Sequence, residues 1–165
     1  MMAEAGSPLP DPAPVTPPAA NRPPRRRARE YVVQGLYQWR VGGADAASIE
    51  AHAAEDKDFV RADKALFQAL LRGILAREQE LMTLVSPHVD RPFDELSPVE
   101  AGILMLGAYE LAHQPATPYR VIINEAIELA KTFGGTDGHK YVNGVLDKLA
   151  PKLRSAEVSA RRGGK

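Results

Sequence analysis

From residue 25 onward, large apolar residues recur at intervals of three and four and nowhere alternate at two over the length of a strand. The first spacing places side chains on one face of an α-helix, whereas a strand needs alternation. The pattern therefore predicts an all-α fold, a compact bundle of six to seven helices. Residues 1–24 hold eight of the fourteen prolines and almost no large apolar residue, and we expect them to form a disordered Pro-rich tail.

Glycines, prolines and N-cap residues divide the remaining chain into helices. The expected helices are about Pro24 to Val41, a short one after Asp45, Asp58 to Ser86, Pro98 to about His113, one from Thr117-Pro118 to Gly134-Gly135, and one from Asp137 that stops before Pro151. Ser97-Pro98-Val99-Glu100 is the clearest start, because it combines an N-cap hydroxyl, a proline at the first helical position and a glutamate that closes a capping box. Inside the long third helix, Gly73 predicts close packing or a bend.

The helical signal is weakest between residues 87 and 97. We place a boundary there between two small helical subdomains, about 25–90 and 91–153, and expect residues 154–165 to follow as a basic C-terminal tail. No apolar run approaches the roughly 20 residues that cross a bilayer. The N-terminus also lacks the basic start, apolar stretch and cleavage site of an export signal. The expectation is a soluble, cytoplasmic protein.

Composition argues against several classes of function. The chain has no cysteine, which removes disulfides, thiolate zinc sites and thiol nucleophiles together. Its four histidines lack metal-ligand spacing, and no GxSxG nucleophile motif occurs. The sequence therefore predicts neither an enzyme nor a metal or cofactor site.

The charges are segregated along the chain, although basic and acidic residues number 21 each. Residues 22–40 hold six arginines and one acid, residues 131–165 hold eight basic and three acidic residues, and residues 41–130 hold seven basic and fifteen acidic residues. Exposed charges act over only about 8 to 10 Å at physiological salt. A binding partner therefore responds to local charged patches rather than to the net charge of zero. We therefore expect two differently charged faces.

The start of the first helix is rich in arginine: Arg22, Arg25, Arg26, Arg27 and Arg29. A guanidinium fork fits phosphate oxygens, and each neutralised phosphate adds salt-dependent affinity. Arg25, Arg26 and Arg29 share one helical face, and Tyr37 at its edge can stack on an unpaired base. The cluster is therefore a candidate nucleic-acid contact, with an ordinary solvated basic face as the alternative.

A glycine-rich loop, residues 134–140, leads into the last predicted helix, where free backbone N–H groups favour an anion. It lacks the spacing of a nucleotide P-loop, and no strand precedes it. Phe133 and Tyr141 flank the loop, and with Lys140 and Asn143 they form a candidate aromatic and basic cluster for single-stranded RNA. The alternative is an ordinary connection between helices, with Phe133 in the core.

The acidic middle of the chain includes Asp94, Glu95 and Glu100 around the capping box. Such a surface can meet a basic protein partner, and charge complementarity would then set the rate and register of association. For Glu100, a purely structural role in the cap is the alternative.

Two stretches resemble the NusB family of transcription antitermination factors: RRRAREYVVQGLYQW near the start and PYRVIINEAIELAKTFGGTDGHKYVNGVLDKLAP near the end. The likeness extends over roughly residues 25–153. It implies an all-helical fold of two small subdomains that binds the boxA element of nascent ribosomal RNA together with the ribosomal protein NusE. The pair would then join RNA polymerase and other Nus factors, without a cofactor. We expect a monomer or weak homodimer.

The resemblance also assigns residues by position. The arginine-rich RNA-binding motif of the family matches Arg25, Arg26, Arg27 and Arg29, and positions around its RNA surface match Phe133, Asp137 and Tyr141. The side that binds NusE matches Tyr37, Asp94 and Glu100, which for Tyr37 competes with base stacking. The chain departs from the family pattern in its longer Pro-rich tail and in Tyr141, where a phenylalanine is expected.

Two other functions compete with antitermination. A NusB-like domain also precedes RNA cytosine methyltransferases, although the short basic tail after Pro151 leaves no room for their cofactor-binding domain. A helical scaffold that binds proteins and no RNA is the other alternative, and the salt dependence of RNA binding would separate it from antitermination.

Overall fold

The computed structural model describes residues 22–163, and every regular element in that range is a helix. The predicted all-α fold is therefore confirmed. Within these residues the α-helices number eight rather than six or seven: α1 Pro24–Gly42, α2 Ala46–Ala54, α3 Lys64–Ala76, α4 Glu78–Val85, α5 Pro98–His113, α6 Tyr119–Phe133, α7 Gly138–Leu153 and α8 Ser155–Gly163. Residues 1–21, most of the predicted tail, lie outside the described part. No described helix is long and apolar enough to cross a membrane.

Helix α5 is the centre of the bundle. Every residue from 101 to 111 is buried, and α1, α3, α4, α6 and α7 all pack around this helix. It contains two glycines where neighbours come close: a Cβ added at Gly107 would lie 2.8 Å from Leu146 of α7, and one added at Gly102 would lie 3.4 Å from Leu36 of α1. The buried side chains form one continuous cluster from α1 to α8. The division into two subdomains stays a prediction.

The ends of the first helices follow local chemistry. Helix α1 begins with Pro24 and ends at Gly42, and the next residue, Gly43, has a φ of 73°, a left-handed conformation that glycine adopts without strain. Its N–H bonds back to the carbonyl oxygen of Trp39 at 3.0 Å. Asp45 caps α2 by accepting the Ser48 N–H at 2.9 Å. Both boundaries therefore agree with the sequence signals.

The single long helix predicted from Asp58 to Ser86 is wrong. Residues Lys57–Arg61 form a separate 3-10 helix, and α3 begins after Asp63, whose carboxylate accepts the Leu66 N–H at 3.0 Å. The helix then breaks at Arg77, with φ −123° and ψ 32°, before α4. Gly73 is not the site of the break. It marks close packing, because an added Cβ would lie 2.2 Å from the hydroxyl oxygen of Tyr109.

The predicted start at Ser97 is confirmed, although only one half of the expected capping box forms. Ser97 Oγ accepts the Glu100 N–H at 3.1 Å. The Glu100 carboxylate instead lies against α7, where a Cβ added at Gly138 would be 3.1 Å from Oε2. A carboxylate beside the first turn of a helix interacts favourably with the helix dipole, so Glu100 joins the starts of α5 and α7.

The C-terminal predictions need two corrections. Helix α7 does not stop before Pro151 but continues to Leu153, because a proline in the last turn removes only one backbone hydrogen bond and the Arg154 N–H still bonds to the Ala150 carbonyl at 2.7 Å. The basic segment expected as a tail is helical over Ser155–Gly163 and buries Val158 at 3% exposure.

The expected cap at Thr117 is also wrong, since Pro118 stands at the N-cap of α6 and no side chain in that turn caps it. Glu157 of α8 provides the acceptor, and its carboxylate receives the Tyr119 N–H at 2.8 Å. This hydrogen bond holds the pKa of Glu157 below its ordinary value. Helix α8 therefore completes the start of α6.

Candidate nucleic-acid interface

Two of the N-terminal arginines are bound to acids from distant parts of the chain. Nε and Nη2 of Arg26 donate to the carboxylate of Glu125 at 3.0 and 2.9 Å. The same atoms of Arg29 donate to Glu110 at 2.8 and 2.9 Å, and these two side chains are only 4% and 3% exposed. Burial lowers the pKa of Arg29, but the hydrogen bonds and charge of Glu110 raise it more, so the net shift is upward. Arg29 therefore ties α1 to α5.

The expectation that all four arginines offer their guanidinium groups to phosphate is corrected for Arg27 and Arg29, which are each 3% exposed. Arg27 Nε donates to the carbonyl oxygen of Arg22 at 3.3 Å. Arg25 is far more accessible, because its side chain is 54% exposed and its nearest acid, Asp63, is 3.8 Å away. Within the predicted cluster, Arg25 is exposed, Arg22 and Arg26 are half-buried, and Arg27 and Arg29 are buried.

The loop between α6 and α7 has an exposed polar rim. Asp137 and Lys140 form a solvent-exposed ion pair with 3.5 Å between Oδ1 and Nζ. Phe133 is half-buried and packs against the core, as its alternative interpretation proposed. Asn143 is exposed, but two residues of helix separate it from Tyr141 by about 160° around the axis. Asn143 lies only about 60° from Lys140, which therefore stands between Tyr141 and Asn143 on the surface of α7.

Tyr141 is fixed by the segment that follows α4. Its hydroxyl donates to Asp90 Oδ1 at 3.0 Å and accepts the Asp90 N–H at 3.4 Å. Arg91 pairs with the same carboxylate at 2.8 Å, and its guanidinium carbon lies 5.7 Å from the centre of the Tyr141 ring. The bond from Arg91 holds the pKa of Asp90 below its ordinary value. The half-buried ring of Tyr141 and the ion pair between Arg91 and Asp90 thus meet at the start of α7.

The residues predicted for a protein partner lie near the other end of α1. Asp94 is 85% exposed and 3.7 Å from Arg40, whose guanidinium lies 5.0 Å from the centre of the Phe93 ring. Tyr37, half-buried, precedes Arg40 by three residues and is about 18 Å along the helix from Arg25. Glu100 stands at the start of α5, six residues after Asp94.

Among the described residues, no group of three or more His, Asp or Glu side chains is placed to hold a metal ion.

Comparison with known proteins decides the family. The family model described as "NusB family" matches residues 26–151, which include Arg26, Arg27 and Arg29, the α6–α7 loop and the start of α5. The chain belongs to the NusB family. The NusB protein of Dechloromonas aromatica, named a transcription antitermination protein, is 65% identical over 141 residues, which are 86% of each chain. A namesake from Burkholderia mallei is 55% identical over 84% of this chain and 96% of its own.

Solved structures agree with the NusB fold. NusB of T. maritima superposes with a TM-score of 0.71 at 31% identity and covers 84% of this chain and 99% of its own. A crystal structure of the antitermination factors NusB and NusE in complex with dsRNA matches with a TM-score of 0.68 at 22% identity, over 77% of this chain and 96% of that one. The second likeness establishes the fold alone.

The NusB resemblance did not point to Asp90 or Arg91. Fifty-one residues separate Asp90 from Tyr141, and no local repeat links the two segments. One signal was present, because this chain has a tyrosine where a phenylalanine is expected for the NusB family. A hydroxyl on a half-buried ring usually has a hydrogen-bond partner, and Asp90 is that partner.

Proposed function

We propose that this protein is a transcription antitermination factor that binds boxA RNA of nascent ribosomal RNA transcripts together with the ribosomal protein NusE. The observation that supports this most strongly is the 65% identity, over 86% of the chain, to a relative named transcription antitermination protein NusB. The complex would then join RNA polymerase and other Nus factors. The protein would act in the cytoplasm through binding alone, with no catalytic step and no cofactor.

The RNA would meet two exposed groups of residues. Lys140, Tyr141 and Arg91 offer an aromatic ring and two cations on one side of α7, a combination suited to an unpaired base and its phosphate. Arg25 offers a further exposed cation at the start of α1. Asp137 and Asn143 would contact the RNA as polar neighbours of Lys140. Arg27 and Arg29, which are buried, would stabilise the start of α1 rather than contact the RNA.

We expect Tyr141→Ala to weaken binding of labelled boxA RNA by about 5-fold to 150-fold, since base stacking on an aromatic ring contributes roughly 1–3 kcal/mol. Tyr141→Phe keeps the ring and loses only the hydrogen bonds to Asp90, so it should bind nearly as tightly as the unaltered protein. Fluorescence anisotropy titrations check both variants. Equal losses for the two variants would mean that the link to Asp90, and not stacking, is what matters.

The acidic surface at Asp94 is proposed to bind NusE. Asp94→Lys should weaken capture of NusE by about tenfold or more, because a cation would replace an exposed carboxylate beside Arg40. RNA binding by the isolated protein should stay within about twofold, since within residues 22–163 Asp94 pairs with Arg40 and not with Arg91 or Lys140. Binding of purified NusE measured by calorimetry tests the first expectation, and the anisotropy titration tests the second.

Glu55→Lys is the matched control for this experiment, as it makes the same charge change at an exposed position just after α2. It should leave NusE binding unchanged. If Asp94→Lys and Glu55→Lys weaken NusE capture equally, the effect is one of net charge and the proposed docking surface is rejected. If the unaltered protein binds NusE but no RNA, the protein-binding scaffold becomes the better description.

A further inference from the structure

An open groove of about 390 Å³ lies beside Tyr141, between α7 and the segment that follows α4. Tyr141, Gly144 and Lys148 form the α7 wall, and residues 87–90 form the opposite wall. A Cβ added at Gly144 would meet no atom within 4 Å, so the middle of the groove is open to a ligand that lies along the helix.

One stripe of α7 faces this groove and continues past it. Positions 141, 144, 148 and 152 recur at three and four, which places them on one side of the helix over about 16 Å. The lysines at 148 and 152 are exposed, and no ion pair joins either of them to a carboxylate within residues 22–163. Arg26 and Arg29 differ in this respect, because Glu125 and Glu110 already neutralise them.

The groove has a positive electrostatic character. His88 on the opposite wall has a pKa below its ordinary value, first because of burial and then because of the positive charges of Lys152 and Lys148. Both ammonium groups are therefore close enough to act on that wall. Asp90 is the acid that lines the groove, and Arg91 pairs with it at 2.8 Å. Both ammonium groups would attract an anionic ligand in the groove.

We propose that the groove holds the continuation of the RNA strand: one base stacks on Tyr141, and the next phosphates along the strand bind Lys148 and Lys152. Residues four apart on a helix have Cβ atoms about 5–6 Å apart, a spacing that suits neighbouring phosphates of an extended strand. An aromatic ring at the head of a row of unpaired cations is the usual arrangement for single-stranded nucleic acid. This inference rests on the proposed RNA-binding function and adds a second segment to its site.

The test compares two RNAs, a short boxA core and the same core extended by several nucleotides at its 5′ or 3′ end. The unaltered protein should bind one extended RNA more tightly than the core. Lys148→Gln with Lys152→Gln should remove that gain, about tenfold at low salt, and reduce the slope of log affinity against log salt by roughly 1.4, or about 0.7 for each phosphate of a single strand. Affinity for the core RNA should not change.

The matched control is Arg72→Gln with Arg77→Gln, which removes two exposed cations from α3 and its C-terminal end. It should leave both RNAs bound as before. NMR titration of His88 gives a second readout, because phosphates beside Lys148 and Lys152 should raise its pKa. Thermal unfolding should show all variants to be equally folded.

Each result has a distinct meaning. Failure of the unaltered protein to bind even the core RNA would overturn the proposed function itself. Two results would overturn only the proposed groove site, with binding of the core RNA unchanged. One is that neither extension increases affinity. The other is that the arginine control and the lysine variant lose the same affinity for the extended RNA. Equal competition by polyglutamate of matched charge would also overturn it, in favour of a docking site for an acidic protein segment.

Discussion

Replacing Arg29 with methionine is expected to lower the free energy of unfolding by about 3–5 kcal/mol, because the substitution leaves the carboxylate of Glu110 buried without its partner. The two side chains are 4% and 3% exposed and share two hydrogen bonds of 2.8 and 2.9 Å. Water cannot readily replace the guanidinium at such a site. Urea denaturation with linear extrapolation measures the change.

Two controls separate the buried pair from an ordinary loss of charge. Arg29→Met combined with Glu110→Leu removes both charges and should recover much of the lost stability, since a buried ion pair is often no better than an apolar pair of similar volume. Arg26→Ala breaks a similar pair with Glu125, but its side chain is 33% exposed, so the loss should be about 1 kcal/mol or less. An Arg29→Met protein as stable as Arg26→Ala would contradict this interpretation.

The same variant tests how the arginine-rich segment acts on RNA. A buried guanidinium contributes no phosphate contact, so Arg29→Met, measured where it is fully folded, should keep the salt slope of RNA binding. Arg25→Ala should lower that slope by roughly 0.7, the amount expected for one lost phosphate contact with a single strand. Arg29 and Arg25 thus differ in function, although they lie four residues apart on the same helix.

The sequence predicted the helix ends that depend on neighbouring residues. Ser97 and Asp45 act as N-caps within three residues of the groups they bind, and Gly43 supplies the left-handed turn after α1. Each of these signals is local, so a single segment contains all the information. The same is true of the aromatic and basic pattern that marked Lys140 and Tyr141.

Predictions failed where the deciding group comes from elsewhere in the chain. Helical periodicity placed Arg29 on one face with Arg25 and Arg26, but Arg29 is buried against a partner 81 residues away on α5. The cap of α6 is likewise supplied by Glu157, 38 residues from Tyr119. Acidic residues are common on helix surfaces, and the sequence around each of them does not indicate which acidic side chain faces the protein interior. Such pairings depend on how the helices pack around α5. The sequence pattern of a single helix does not predict that packing.

Replacing Arg154 with alanine is expected to lower the free energy of unfolding by about 2–4 kcal/mol. Its guanidinium donates to four backbone carbonyl oxygens at the end of α5 and in the turn that follows: Leu111 at 2.7 Å, Gln114 at 3.0 Å, Glu110 at 3.1 Å and Thr117 at 3.2 Å. The last carbonyls of a helix have no partner within it, and a hydrogen bond to a charged group contributes roughly 1.5–3 kcal/mol net of the hydrogen bonds to water that it replaces. One side chain therefore completes the C-terminus of the central helix.

The loss should extend to α8, because Arg154 also donates to Glu157 at 2.6 Å and Glu157 in turn caps α6. Hydrogen exchange should therefore become faster at the Tyr119 amide and across Ser155–Gly163, in addition to the global change seen by denaturation. Glu157→Gln should weaken that cap and the ion pair with Arg154, but keep the hydrogen bonds from Arg154 to the α5 carbonyls, and cost about 1 kcal/mol. Arg154→Lys keeps the charge without the planar fork and should be intermediate. If Arg154→Ala unfolds at the same urea concentration as the unaltered protein, α8 contributes nothing to the stability of the folded domain and this interpretation is wrong.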